Sequence, residues 1–433
     1  MIRFKSPPFK LFYLLIFIIF GLESAAALKI QITDGNEEPI NIAIVPFYDE
    51  SMSFPFHEVI TSDLEFFGEF SVLRPEFMLS LPIEEQEVYF RDWKLLAVDY
   101  LVIGQVISSN QEEFQISYKV FDIARKKNIH DAIITGSSNS LKRISHNISD
   151  KIYKKINGLE GIFSTRILYI DKPDTLEDLY RLRMTDIDGE NDISLFSSSQ
   201  PLMSPSWSPN GESISYVSFE EGSSRIVIQE LSSGRRTLVK KEKGINSSPN
   251  WSPDGKYLAA VLSSGGNPDI YLYNLKRKSW KQITFHQGID TEPDWSPKGR
   301  SLIFTSNRSG SPQIYEINLR TERIKRKTFE GTYNARARYL PDGKGIVFVH
   351  RKNGIFHIAS QNLRSGKINI LSDTDLDESP TISPNGNVIL YSTKNNTNDV
   401  LAGITIDGKM KFILPSSTGD AREPSWSPYL DKN

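Results

Sequence analysis

Hydrophobic and polar positions follow two different patterns along this chain, with a change near residue 160. Before that point, segments with a helical pattern alternate along the sequence with segments that have a strand pattern. Residues 42–47 form a short β-branched apolar run, and residues 114–121 alternate with a period of two, so both are predicted strands. Residues 58–70 and 141–156 repeat their apolar positions at the spacing of an amphipathic helix. This mixture predicts a compact α/β domain.

Local signals complete the prediction for this first part. Further strands are predicted at residues 71–73, 100–107 and 129–135. Ser140 is the predicted N-cap of the second helix, and Gly158 follows the end of that helix as its C-terminal signal. Gly-Leu-Glu-Gly at 158–161 is the predicted linker to the rest of the chain.

After residue 160, one short phrase recurs six times. Its copies read Pro-Ser-Trp-Ser-Pro-Asn-Gly, Pro-Asn-Trp-Ser-Pro-Asp-Gly, Pro-Asp-Trp-Ser-Pro-Lys-Gly, Ala-Arg-Tyr-Leu-Pro-Asp-Gly, Pro-Thr-Ile-Ser-Pro-Asn-Gly and Pro-Ser-Trp-Ser-Pro. The last proline of each copy falls at 209, 253, 297, 341, 384 and 428, so the spacing is 44, 44, 44, 43 and 44 residues. A period of about 40–50 residues made of short strands is typical of β-propeller blades.

The two ends of the repeated region predict how the propeller closes. Each full repeat contains four predicted strands. Residues 162–200 have the later strands of a blade without its opening phrase, and residues 424–428 supply that phrase at the C-terminus. The two partial units make one blade. We therefore predict an α/β N-terminal domain plus an all-β six-bladed propeller of four-stranded antiparallel blades, closed by the C-terminal strand, which removes exposed sheet edges.

The repeated phrase itself is predicted to be structural. Ser-Pro-Asp-Gly suits a type I turn, because Pro fixes φ at the second position and Asp and Gly are tolerated at the third and fourth. The preceding Trp is expected to pack between adjacent blades. Six equivalent catalytic sites would be unusual, and turn chemistry explains each letter of the phrase.

The first 27 residues are predicted to be a cleavable signal peptide. Arg3, Lys5 and Lys10 precede an apolar run at 11–20, which is followed by Ala-Ala-Ala at 25–27. The run is short of the ~20 residues that span a bilayer. We therefore predict export to the periplasm, no membrane insertion after cleavage, and three parts: the signal peptide at 1–27, the α/β domain at 28–160 with a mobile N-terminal strand at 28–39, and the propeller at 161–433.

Composition and motifs argue against several classes of function. The net charge is −2 and the basic clusters fall in predicted outer turns, so no nucleic acid partner is expected. The chain has no cysteine, which removes thiol catalysis and Cys-based metal sites. No His-Glu-x-x-His pair and no Gly-x-Ser-x-Gly elbow occurs. We expect a monomer with no catalytic residue, no metal and no cofactor.

The segments just before each copy of the phrase differ from blade to blade. They occupy one position in every blade, so they are expected to line one rim of the central channel. These rim loops are residues 200–204, 244–248, 288–292, 331–336, 375–379 and 419–423. They carry acidic, basic and hydroxyl groups facing a common opening, which favours a docking surface for another protein over ordinary solvated turns.

The mature N-terminus is a second candidate for recognition. Residues 28–34 alternate apolar and polar side chains, which predicts a strand, and residues 35–39 are typical of a hinge. Such a strand can pair within its own domain or extend the sheet of a partner. The residues alone favour the internal pairing.

The whole mature chain resembles the TolB family of periplasmic propeller proteins of the Tol–Pal system. The segments that carry the resemblance most specifically are residues 40–47, 158–166, 200–209 and 424–430. The resemblance implies a non-enzymatic adaptor that supports outer-membrane integrity and envelope constriction during cell division. It implies two partners, the peptidoglycan-associated lipoprotein Pal at the propeller rim and the inner-membrane protein TolA at the mature N-terminus, with other envelope proteins as further possible partners.

Carried onto this chain residue by residue, the resemblance implies two binding sites. The implied Pal-binding rim consists of Ile245, Asn246, Ser248, Asp290, Thr291, Glu292, Arg336, Arg338, Glu378, Ser379 and Arg422. The implied TolA epitope consists of Leu28, Lys29, Ile30, Gln31, Ile32, Thr33 and Asp34.

One departure and one alternative function accompany this prediction. The fourth copy of the phrase has Ala337, Tyr339 and Leu340 in place of Pro, Trp and Ser, so its rim loop, with Arg336 and Arg338, is expected to differ from the other five. The alternative function is a periplasmic carbohydrate or peptide hydrolase or lyase, with paired carboxylates in the propeller channel. Two buried carboxylates with shifted pKa values in a deep pocket would favour that alternative.

Overall fold

The computed structural model of the 433-residue chain describes residues 29–32, 38–48, 54–109, 113–137, 140–172, 179–239, 241–374, 376–395, 398–414 and 420–430. The predicted signal peptide lies outside the described residues, as do Leu28, Thr33 and Asp34 of the implied TolA epitope.

The α/β domain is built on one five-stranded sheet. Its elements are β2 Ile40–Ile44, α1 Phe56–Phe66, β3 Phe70–Leu73, α2 Phe90–Leu95, β4 Tyr100–Ser109, β5 Glu113–Asp122, β6 Lys127–Ser137 and α3 Leu141–Asn157, preceded in the chain by β1 Lys29–Ile32. Two short 3-10 helices, Pro75–Phe77 and Glu85–Glu87, lie between β3 and α2. The strand order is β3-β2-β4-β5-β6, and β2 runs parallel to both of its neighbours.

Both faces of this sheet are covered, but unequally. Helices α1 and α3 pack on one face through Ile60, Leu64, Ile148 and Ile152, all of which are buried. The segment around α2 covers part of the other face through Trp93. The sequence pattern missed α2, because six residues are too few to show a helical period.

The two predicted boundary signals of α3 differ in outcome. Gly158 ends the helix in the left-handed conformation, at φ +76°, and its N–H donates to the Lys154 carbonyl, which confirms the prediction. Ser140 occupies the N-cap position, as predicted, but its side chain does not cap the helix. Its hydroxyl donates instead to the Ser137 carbonyl at 2.8 Å, a local bond that competes with capping.

The remaining strands form six four-stranded antiparallel sheets, as predicted. Blade 1 is Leu202–Trp207, Ser213–Ser218, Arg225–Glu230 and Arg236–Leu238; blade 2 is Asn246–Trp251, Tyr257–Leu262, Asp269–Asn274 and Ser279–Gln282; blade 3 is Asp290–Trp295, Ser301–Ser306, Gln313–Asn318 and Ile324–Arg326; blade 4 is Asn334–Tyr339, Gly345–Lys352, Ile355–Asn362 and Ile368–Ile370; blade 5 is Glu378–Ile382, Val388–Asn395, Asn398–Thr405 and Met410–Ile413; blade 6 is Asp420–Trp426, Arg166–Lys172, Tyr180–Asp186 and Ile193–Ser198.

Blade 6 closes the ring with the C-terminal strand, which confirms the closure prediction. Strand Asp420–Trp426 pairs antiparallel with strand Arg166–Lys172. The seam is also held by side chains: the Trp426 indole N–H donates to Thr165 Oγ1 at 2.9 Å, and the Arg166 N–H donates to Ser427 Oγ at 2.9 Å.

The repeated phrase forms turns and inter-blade contacts. In blade 1 the Gly211 N–H donates to the Ser208 carbonyl, which closes the predicted turn. The Trp207 indole donates to the Ser425 carbonyl of blade 6 at 3.0 Å, and Trp295 donates to the Asn250 carbonyl of blade 2 at 3.1 Å. These indoles pack between neighbouring blades, as predicted.

Strand β1 pairs with the propeller instead of the α/β sheet. It adds a fifth strand to blade 5, antiparallel to Met410–Ile413, with Lys29 opposite Ile413 and Ile32 opposite Met410. The sequence predicted a strand here, which is confirmed, but the residues alone favoured pairing within the α/β domain. That pairing prediction is wrong, because an alternating pattern identifies a strand without identifying the sheet edge that it joins.

The α/β domain contacts the propeller at the ends of blades 5 and 6 that carry the repeated turns. Asn385 in the turn of blade 5 donates to the Glu160 carbonyl at 2.9 Å. Phe66 of α1 packs edge-to-face on Phe412, with ring centroids 5.1 Å apart. Each inner strand begins at its rim loop and ends at its turn, so the rim loops lie on the opposite face and are not covered by this domain.

The segment that joins the two domains is fixed by a buried carboxyl group. Asp150 of α3 accepts hydrogen bonds from the Phe163 N–H at 2.7 Å and the Ser164 N–H at 3.2 Å, and from the Ser164 hydroxyl. Burial raises the pKa of Asp150 to about 7, and these hydrogen bonds only partly oppose that rise. The linker is therefore attached to α3 by a group that titrates near neutral pH.

This titration predicts a pH-dependent stability. An unfolded Asp has a pKa of about 3.9, so the folded chain keeps a proton that the unfolded chain has lost, and stability falls as the pH rises from about 4 to about 7. An Asn at position 150 cannot titrate. In Asp150→Asn we therefore expect the free energy of unfolding to decrease with pH by up to about 4 kcal/mol less than in the wild type. Urea unfolding at pH 5, 6, 7 and 8 checks this, and equal pH dependence in variant and wild type would contradict it.

Candidate partner-binding site

The rim loops lead into a ring of six residues with one unusual backbone conformation. Each inner strand carries a bulge after its first residues, and there one non-glycine residue has φ between +50° and +56°. These residues, here called the channel ring, are Ser204, Ser248, Glu292, Arg336, Ser379 and Glu423. Left-handed backbone is costly for such residues and clusters at functional sites.

All six members of the channel ring line one cavity of about 630 Å³ on the propeller axis. The bulge turns the same position of every blade toward the axis, so six different side chains meet there. The fourth blade follows this rule too, with Arg336 at φ +55° and the bulge in the same place. The prediction that its rim loop differs is therefore wrong for the backbone, because the bulge does not depend on the missing Pro and Trp.

Hydrogen bonds and one ion pair connect the ring across blade boundaries. Arg336 Nε lies 2.9 Å from Glu292 Oε1, and its guanidinium also donates to the Ser379 hydroxyl. The other Glu292 oxygen accepts from the Arg336 N–H at 3.0 Å and from Thr305 Oγ1 at 2.8 Å. Across the ring, the Ser204 N–H donates to the Glu423 carboxylate. Blades 3, 4 and 5, and blades 6 and 1, are thus linked at the channel mouth.

Charge at the mouth is dominated by carboxylates around a single ring cation. Burial lowers the pKa of Arg336, but the carboxylates of Glu292, Glu423 and Glu378 outweigh burial and raise it overall. Arg336 therefore stays charged and is held by three acidic residues from three other blades. Removing it would leave these carboxylates facing one another.

A second polar layer lies deeper in the channel. Asp294 accepts from the Tyr339 N–H at 2.9 Å and from Asn250 Nδ2 at 3.2 Å, so it joins blades 2, 3 and 4. Burial raises the pKa of Asp294, and the Arg338 charge and these two hydrogen bonds oppose that rise. Arg338 also lines the cavity.

The implied Pal-binding residues divide into three groups in the structure. Those that line the channel cavity are Ile245, Ser248, Glu292, Arg336, Arg338 and Ser379. Thr291, Glu378 and Arg422 each directly precede a channel-ring residue in the sequence but do not line the cavity. Arg422 forms ion pairs with Asp399 and Asp420.

Asn246 and Asp290 form the third group, because they are buried and bind their own surroundings. The Asn246 amide donates to the carbonyls of Glu242 and Gly244, at 2.9 and 3.1 Å. Asp290 forms an ion pair with Arg308 at 2.6 Å. These two side chains hold rim loops in place, so a partner would contact the loops instead of these groups.

The sequence prediction omitted Ser204 and Glu423 of the channel ring. Both stand at the last position of their rim loops, directly before Pro205 and Pro424, as Ser248 and Glu292 do in theirs. That shared position is the signal that identifies them.

Exposed apolar side chains surround the polar mouth on the same face. Phe285 and Phe329 are 74% and 73% exposed, each near the start of the segment that leads to the next rim loop. Ile245 and Ile289 in the rim loops and Met203 beside Ser204 are also exposed. Exposed apolar side chains close to polar groups mark this face as a candidate surface for protein docking.

The contacts of the channel carboxylates give no support to a hydrolase. Glu292 binds Arg336 and Thr305, Glu423 binds the ring at Ser204, and Asp294 is held by two donors. Each therefore has a positioning role. Within the described ranges, no group of three or more His, Asp or Glu residues is placed to hold a metal ion. In the same part of the chain, no helix is both long and apolar enough to cross a membrane.

Fold and site define a two-domain β-propeller protein with a polar channel mouth. Family models match both parts: the TolB amino-terminal domain over residues 28–129 and the TolB beta propeller domain over residues 153–430. The Tol-Pal system protein TolB of Hahella chejuensis is 54% identical over 428 residues, which is 98% of this chain and 99% of that protein. That of Marinomonas sp. is 55% identical over 418 residues, 95% of this chain and 97% of that protein.

A solved structure agrees with these relatives. The crystal structure of TolB from Acinetobacter baumannii superposes with a TM-score of 0.85 at 35% identity, covering 93% of this chain and 100% of that chain. The chain belongs to the TolB family, which confirms the resemblance found in the sequence.

Proposed function

We propose that the protein is a periplasmic, monomeric adaptor of the Tol–Pal system that binds Pal through its propeller rim. The observation that carries the proposal is the channel ring, in which six residues with left-handed backbone, one from each blade, line one polar cavity and five are bonded to a neighbouring blade. A preformed, rigid mouth binds a partner without a large ordering cost. The face that carries it is free of the α/β domain and bears exposed apolar side chains.

The rim proposal assigns different roles to its residues. Exposed Ile245, Ile289, Phe285 and Phe329 supply apolar contact area. The charged ring centre selects the partner, since acidic and basic groups at an interface give specificity more than raw affinity. We propose no reaction at this site.

The N-terminal strand is proposed as the TolA-binding segment. Strand β1 has four residues and is the last strand of blade 5, so among the described residues it pairs with a strand on one side only. A short edge strand is held by few backbone hydrogen bonds and can exchange its own sheet for that of a partner. Lys29, Ile30, Gln31 and Ile32 are the described part of this segment.

Deleting residues 28–37 tests the TolA role. We expect the deletion to abolish capture of TolA and to leave Pal binding unchanged or tighter, because β1 lies on the outer edge of blade 5 and the ring lies on the axis. Replacing residues 28–37 with a Gly/Ser segment of equal length controls for chain length and should behave like the deletion. Pull-down with purified TolA and Pal homologues is the measurement, and loss of both partners would contradict the proposal.

A further inference from the structure

The free edge of the α/β sheet is unusually long. Strand β6 has eleven residues and pairs with β5 on one side, and among the described residues none pairs with its other side. The opposite edge strand, β3, has only four residues. Proteins normally protect a long edge with charges, prolines or bulges, because an open edge pairs with other chains.

The second half of β6 carries none of these protections. Its one irregularity lies near its start, between the pairs Val120–His130 and Phe121–Asn128. From His130 to Ser137 the register with β5 is regular, and residues 132–137, Ala-Ile-Ile-Thr-Gly-Ser, contain no charge and no proline. Ile133 in this stretch is 60% exposed. This half of the edge is therefore regular, uncharged and open.

The two faces of β6 have different surroundings. Ala132 and Ile134 pack toward the core beneath α3, and a Cβ at Gly136 would lie 2.5 Å from Ile144 of α3. The alternate residues face the other way: Ile133 stands opposite Ser117 of β5, on a polar surface. A strand added beyond β6 would have α3 beside one of its faces and solvent at the other.

Helix α3 presents positive charge beside this edge. Lys151 and Lys155 are exposed and four residues apart, so they lie on one side of the helix. Both lysines lie on α3, whose Ile144 packs over β6 at Gly136. Burial lowers the pKa of His130 on β6, and the charges of Lys155 and Lys151 lower it further, while Asp131 opposes them. Neither lysine forms an ion pair with a described residue.

We propose that the outer edge of β6 binds an extended segment of a partner protein as an added strand, with acidic residues toward α3 and β-branched residues on the opposite face. Backbone hydrogen bonds along residues 130–137 supply affinity, and Lys151 and Lys155 select the acidic side chains. The site is separate from the propeller rim and from β1.

Charge argues against a second copy of this chain as the occupant. In an antiparallel pairing of two β6 strands about a two-fold axis perpendicular to the sheet, both α3 helices lie on the same face. Lys151 and Lys155 of the two copies would then approach one another, and like charges oppose that pairing. An acidic segment has the opposite effect.

A synthetic peptide of alternating Glu and Val, nine residues long with blocked ends and a fluorescein label, tests the proposal by fluorescence anisotropy with residues 28–433. We expect saturable binding that Lys151→Glu/Lys155→Glu weakens at least tenfold. The matched control Lys276→Glu/Lys278→Glu makes the same charge change on an exposed turn of blade 2 and should bind as wild type. A peptide of alternating Lys and Val should not bind.

A second variant and a second measurement locate the binding. Ile133→Glu places a negative charge on the edge, on the face away from α3, and is expected to weaken binding of the acidic peptide at least fivefold. Hydrogen exchange should show added protection of amides within residues 130–137 when the Glu–Val peptide is present. No binding by wild type, protection confined to the propeller, or a β6-dependent dimer in sedimentation would each overturn the proposal.

Discussion

Removing residues 420–433 is expected to destroy the cooperative folding of the propeller. Strand Asp420–Trp426 is the inner strand of blade 6, so its loss opens the ring and exposes the edge of Arg166–Lys172. Trp426 alone is nearly fully buried, and truncating a buried Trp costs about 3–5 kcal/mol. A typical domain has only about 5–15 kcal/mol of stability in total, so losing the whole strand exceeds what the propeller can tolerate.

Calorimetry and size-exclusion chromatography measure this effect. The truncated chain should lose the main unfolding transition of the wild type and elute as aggregate. A shorter truncation, which removes only residues 431–433 and leaves the seam intact, is the matched control and should melt as wild type. A truncated chain that lacks residues 420–433 and still melts in one sharp transition would contradict the closure.

Reversing the charge of Arg336 is expected to weaken Pal binding at least 100-fold. Arg336→Glu places a fourth carboxylate among Glu292, Glu378 and Glu423, and removes the donor to Ser379. The carboxylates at positions 292, 336 and 423 would repel one another. Each is the last residue of its rim loop, so these three loops would move. A partner seated on the channel mouth would bury the Arg336–Glu292 pair, and loss of one member of a buried interfacial charge pair costs about 2–5 kcal/mol; 100-fold corresponds to about 2.7 kcal/mol.

A control in the same blade separates binding from folding. Arg364→Glu makes the same charge change on an exposed outer turn of blade 4 and should leave Pal binding unchanged. Arg336→Lys keeps the charge but loses the planar fork, so an intermediate loss is expected. Circular dichroism of each variant at the binding temperature verifies the fold. Equal affinities for Arg336→Glu and Arg364→Glu would contradict the role of the ring.

The sequence predicted the architecture well because the phrase encodes local turn chemistry. Ser, Pro and Gly are each required by the conformation of the turn, so the number of copies gave the number of blades. The last copy, at 424–428, predicted where the ring closes. The strand with which β1 pairs was not predictable, because an alternating pattern indicates a strand but does not indicate which sheet edge the strand pairs with. Helix α2 was missed because its six residues are too short for a period.

The candidate site was only partly predictable for a related reason. Polar residues of a rim loop look alike in the sequence, yet Asn246 and Asp290 turn inward to bind their own loops and Glu292 turns to the axis. The bulge decides this direction, and it became visible only when six positive φ angles appeared at one position. Ser204 and Glu423 share with Ser248 and Glu292 the position directly before a proline, and the six φ angles show that this position faces the channel.

We propose that the channel ring and its rim form the Pal-binding surface. Isothermal titration of residues 28–433 with the soluble domain of the Pal homologue from the same cell measures this binding. We predict saturable one-to-one binding that Arg336→Glu abolishes and Arg364→Glu preserves. Absence of binding by the wild-type chain, or equal binding by Arg336→Glu, would contradict the claim.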